Sequence, residues 1–79
     1  MTPEQAEEYE QFVKHIEDLR GDDLLDAQLD YDALPPVDER ERDLHFVKGI
    51  AIETALQIEF GTDAYIFVEA RKAGRSTQA

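Results

Sequence analysis

Seventy-nine residues carry 19 acids against 8 bases, a formal net charge of -11, and 42% of the chain is apolar. That length allows one domain at most, in the range where a single core only just offsets chain entropy. So anionic a chain repels nucleic acid and anionic membranes and attracts basic protein surfaces; its apolar content is too high for a disordered acidic tail, and having no cysteine it makes no disulfide or thiolate zinc site.

The N-terminal MTPEQAEEYEQF is acidic and polar, the reverse of a secretory signal, and no apolar run has the length of a membrane span. The expectation is a soluble cytoplasmic protein. A first helix follows from Thr2 as N-cap, Pro3 at the first helical position and Gln5 completing a Thr-x-x-Gln capping box. Tyr9, Phe12, Val13, Ile16 and Leu19 share one face, with acids and Lys14 opposite, and Gly21 is expected to end the helix as a left-handed cap.

Residues 22–34, DDLLDAQLDYDAL, fit two templates. Alternation of Leu25, Ala27, Leu29, Tyr31 and Ala33 reads as a strand. Leu24, Ala27, Tyr31 and Leu34 fall equally on one helical face, with Asp22, Asp26 and Asp30 on another. The absence of β-branched residues and two aspartates after a glycine favour a short helix. Pro35 and Pro36 then impose an extended connection.

The central element is a helix over about 38–60. Leu44, Val47, Ala51, Ala55 and Ile58 are flanked by Phe46, Ile50, Ile52, Leu56 and Phe60, so the apolar face is wide and the helix should be touched on several sides. Gly49 inside it points to a close backbone approach, by the first helix or by a partner chain. Gly61 stops the helix. Residues 64–70, AYIFVEA, concentrate aromatic and β-branched residues and read as a strand; the rival is a last helix capped by Asp63 with Arg71 and Lys72 in its final turn. The expected fold is therefore α+β and mostly helical, two or three helices around the central one plus a C-terminal strand, with an all-α small bundle as the alternative. Residues 1–72 form the domain and 73–79 a flexible tail. A lone strand needs a partner for its backbone, which suggests pairing with residues 24–33, a second copy or another protein.

Among candidate sites the acid-rich run stands first: Glu17, Asp18, Asp22, Asp23, Asp26, Asp30 and Asp32, with Tyr31 as an aromatic anchor and only Arg20 opposing. Such a row of carboxylates has the charge pattern to imitate a nucleic-acid backbone and dock on a basic groove; the plain alternative is a solvated face that keeps a small domain soluble. Asp30, Asp32, Asp38 and Glu41 fall at calcium-loop spacing, but Leu34 and Pro35 occupy positions where the loop needs a ligand and a glycine, so no metal is implied. His15 and His45 lack a nucleophile or a third ligand, the only serine is Ser76 near the end of the chain, and neither an enzyme nor a cofactor is indicated. Arg71, Lys72 and Arg75 form a basic tail that could touch RNA or DNA, with loose pairing to the chain's own acidic surface or to that of a dimer mate as the favoured reading.

In size, acidity and lack of catalytic residues the chain resembles the small phage-encoded inhibitors of host defence, the anti-CRISPR and anti-restriction proteins, several of which imitate DNA. The resemblance is one of general character and carries over no residue. It implies a non-enzymatic inhibitor acting on a larger protein with a basic, nucleic-acid-binding surface, without direct contact to nucleic acid or membrane. The alternative is a homodimeric structural or regulatory protein whose acidity is a coat.

Overall fold

A computed structural model describes residues 2–77 and folds them into four α-helices: α1 (Pro3–Glu17), α2 (Asp22–Ala33), α3 (Glu39–Phe60) and α4 (Ala64–Thr77), with a 3-10 turn at Gly61–Asp63 between the last two. The class is all-α. Among the described residues there is no strand, so the expected α+β class with a strand over 64–70 is corrected to the helical alternative. The reason lies in where the side chains go. Ala64, Val68, Arg71 and Arg75 recur at helical spacing, the first two buried in the core and the last two over α2. The aromatic and β-branched residues that suggested a strand, Tyr65, Ile66 and Phe67, stay outside the core, about half or more exposed. A helix also satisfies its backbone within the segment, which a lone strand cannot do. Residues 73–77 of the expected tail continue α4, and 78–79 lie outside the described residues.

Local chemistry sets the other boundaries. Thr2 Oγ1 accepts from the Gln5 N–H at 3.2 Å and Gln5 Oε1 accepts from the Thr2 N–H at 3.0 Å, completing the capping box. Gln5 Nε2 also donates to the Arg40 carbonyl at 2.7 Å, tying the start of α1 to the start of α3. α1 ends at Glu17 with a right-handed Asp18 cap, short of Gly21. Gly21 is left-handed at φ 55°, but it serves as the N-cap of α2 rather than the end of α1, and its N–H donates to Glu59 Oε2 at 3.0 Å. Asp22 and Asp23 open α2, where carboxylates suit the positive end of the helix. Asp38 caps α3 by accepting from the Glu41 N–H at 3.0 Å. Gly61, at φ 81°, ends it.

Helix directions follow from the contacts. Gln5 meets Arg40, Glu8 meets Lys48 and Gly21 meets Glu59, so α1 runs parallel to α3. Tyr31 reaches His45 near the start of α3, while α2 itself begins alongside the far end, so α2 runs against α3. Arg71 pairs with Asp22 and Asp26 and Arg75 with Asp26 and Asp30, so α4 runs parallel to α2. α3 is thus the shared partner, with α1, α2 and α4 all packed on it. The core joins Ile16, Leu24, Leu25, Ile52, Leu56, Ala64 and Val68, with Leu24 and Ile52 essentially out of reach of solvent. Each such large aliphatic side chain contributes about 2 kcal/mol of burial.

Candidate anionic interface

The row Asp22, Asp26 and Asp30 does form one face of α2, and Arg71 and Arg75 lie across it at Asp26 while Asp22 and Asp30 stay largely exposed. Arg71 Nε and Nη2 donate to Asp26 Oδ1 and Oδ2 at 2.9 and 3.0 Å, a bidentate clamp. Arg71 Nη1 lies 3.6 Å from Asp22 Oδ2, and Arg75 lies 3.5 Å from Asp26 and 3.7 Å from Asp30. The Arg71 hydrogen bonds hold the Asp26 carboxyl below its usual range, against the opposing effect of partial burial. The best-spaced acids of the sequence therefore fasten α4 to α2. The two arginines they meet belong to the basic segment expected to pair with the chain's own acidic surface.

The rest of the candidate set is distributed differently. Glu17, Asp18 and Asp23 sit exposed around the α1–α2 corner, joined there by the outer edge of Asp22. Asp32 is exposed at the end of α2 and accepts from Gln28 Nε2 at 3.0 Å. Tyr31 is half-buried and faces inward: its hydroxyl donates to the His45 carbonyl at 2.7 Å and its ring stacks on His45 with centroids 4.1 Å apart. Burial, with Asp32 adding repulsion, raises its phenol above the ordinary value. Tyr31 also explains Gly49. A Cβ at that position would stand 2.5 Å from the Tyr31 hydroxyl, so within the chain the close approach comes from a side chain of α2 and not from the backbone of α1. The calcium-loop acids are dispersed too, Asp30 facing Arg75 and Asp38 capping α3.

Sequence reasoning passed over a second feature. An open groove of about 650 Å³ runs between α2, α3 and α4. Gly49, Leu56 and Val68 lie at its base, and Phe46, Ile50 and Tyr65 stand along it while remaining 66%, 47% and 68% exposed. Its carboxylates come one from each helix, Asp32, Glu53 and Glu69, all exposed. The signal for it was the width of the α3 apolar face: three neighbours cover Leu44, Ile52 and Leu56 but leave Phe46, Ile50 and Ile58 outside the core.

No helix is long and apolar enough to cross a membrane, and no group of His, Asp or Glu side chains is placed to hold a metal ion, in both cases among the described residues. Compared with protein families, curated proteins and solved structures, the chain matches none.

Proposed function

We propose that the chain is a non-enzymatic binding module that docks its anionic surface on a basic, nucleic-acid-binding surface of a larger protein and so blocks or recruits it. The observation that carries this reading is how little of the charge is used internally. Among the described residues, only Glu8, Asp22, Asp26 and Asp30 of the 19 acids take part in ion pairs, and no charged side chain is buried. The remaining carboxylates are exposed. Although Asp32, Asp38, Glu41, Glu53 and Glu59 accept hydrogen bonds within the chain, their charge is unneutralised and speeds encounter with a cationic partner. Of the expected acidic run, Glu17, Asp18 and Asp23 at the α1–α2 corner and Asp32 at the end of α2 stay exposed and outside the ion pairs, and the corner gathers three of these four.

The test is capture from a host lysate on the immobilised protein at low and moderate salt, followed by elution with duplex DNA. Retention of one nucleic-acid-binding protein, released by DNA and weakened by Glu17→Lys/Asp18→Lys/Asp23→Lys, is the expected result. Equal retention on an unrelated acidic protein of matched charge would reduce the acidity to a coat and overturn the reading.

A further inference from the structure

We propose that the groove between α2, α3 and α4 seats one amphipathic, lysine- or arginine-rich helix of the partner protein, apolar side down. The inference rests on the binding-module reading and gives that partner a stated chemistry.

Three features select this occupant. The first is the uncovered apolar surface. Phe46, Ile50 and Tyr65 present large side chains to water along one channel, a pattern that marks an interaction surface on a small protein. The second is shape. Phe46, Ile50, Glu53 and Gln57 form one stripe of α3 along the groove, and at 1.5 Å per residue it spans roughly 16 Å, three turns of a docked helix. That length suits anchors spaced i, i+4 and i+7. Among the described residues no strand edge is available, so an extended segment has no backbone ladder to join. The third is charge. Asp32, Glu53 and Glu69 place a carboxylate on each wall, and no described lysine or arginine lines the groove. A second copy of this chain would bring the same carboxylates face to face at a net charge of -11 on each side, and an anionic membrane meets the same repulsion. A cationic helix matches both the apolar channel and its acidic walls.

The probe is a fluorescein-labelled synthetic helix of about four turns, leucines on one face and lysines on the other, titrated into the full chain by anisotropy. Its controls are a scrambled peptide of equal composition and a version with glutamate for lysine. The patterned lysine peptide should bind at least about tenfold tighter than either. Ile50→Ser/Tyr65→Ser should weaken it about tenfold or more, and Asp32→Asn/Glu53→Gln/Glu69→Gln should weaken it and flatten its salt dependence. Ile58→Ser, which removes an exposed apolar side chain outside the groove, should leave it within about twofold. The substituted residues are all exposed, and circular dichroism on each variant confirms the helical fold.

Equal binding of the patterned and scrambled peptides, or equal loss in the Ile58 and groove variants, would overturn the assignment. So would sedimentation showing a dimer that Ile50→Ser/Tyr65→Ser dissociates, because the groove would then belong to a second copy. If the peptide fails while lysate capture with DNA elution succeeds, the groove assignment falls and the binding-module reading stands; failure of both removes both.

Discussion

Substituting Gly49 by alanine should reverse the sign of its effect according to what stands at position 31. In an open helix interior this change stabilises by about 1 kcal/mol, because alanine loses less backbone entropy. Here the new Cβ would meet the Tyr31 hydroxyl at 2.5 Å and its Cζ at 3.0 Å, closer than such atoms can sit. The ring has to tip away. It then gives up the 2.7 Å hydrogen bond to the His45 carbonyl, about 1 kcal/mol, and the stack on His45, about another 1 kcal/mol. Against the gain in propensity, Gly49→Ala is expected to be net destabilising by about 1 kcal/mol, or roughly 5 °C in Tm for a domain of this size. In a Tyr31→Ala background the obstacle is gone, and the same substitution should raise Tm by about as much. Thermal unfolding of the four proteins, followed by circular dichroism, measures both steps. A stabilisation of equal size in the two backgrounds would refute the seating of Tyr31 on Gly49.

Asp26→Asn should cost about 1 kcal/mol near neutral pH, a figure reduced for a carboxylate one-third exposed. Because the folded carboxyl titrates below its usual 3.8, the clamp's contribution is complete above that pH and disappears as pH falls through the lower folded value. Urea midpoints of wild type and variant should therefore converge on acidification below pH 3.8; a constant gap would exclude the clamp as the cause. Gly21→Ala should destabilise by about 2 kcal/mol through its positive φ alone, since no atom lies within 4 Å of the added Cβ. Gly74→Ala, in helical conformation and also with open space at its Cβ, should instead stabilise by roughly 0.5 kcal/mol, and matching signs in thermal melts would contradict the strain assigned to Gly21. Thr2→Ala should cost about 1 kcal/mol and raise amide exchange in the first turn of α1, whereas exchange rising evenly along α1 would mean the capping box is not holding that end.

Elements governed by short-range chemistry were legible in the chain. Thr2, Pro3 and Gln5 announce α1, the aspartates after Gly21 favour a helix, and Gly61 ends α3 where the apolar period breaks. Elements governed by tertiary context were not. Residues 64–70 have strand-like composition, yet Ala64 and Val68 are the ones the core takes, and a helix brings them together with Arg71 and Arg75. Gly21 shows the same limit on a smaller scale: its left-handed conformation was foreseeable, its service to α2 was not. For the candidate interface, sequence spacing placed Asp22, Asp26 and Asp30 on one helical face but could not show Arg71 and Arg75 lying across it. The groove was hidden because hydrophobicity predicts burial, and Phe46, Ile50 and Tyr65 outnumber what a chain this short can cover.

The aspartate–arginine contacts between α2 and α4 also bear on how the two helices find their alignment. Both rows repeat every four residues, and the helices run the same way. If α4 slid one turn along α2, Arg71 would meet Asp26 and Asp30, and Arg75 would keep Asp30. Such a slip forfeits one partly exposed pair, the kind that adds little to stability. The same slip would carry Val68 and Ala64, one branched and one minimal side chain, away from the places they fill beside Leu24, Leu25 and Leu56. Charge therefore acts as a rail that chooses the face and the direction of α4, while the unequal sizes of two apolar residues act as the stop that chooses its position.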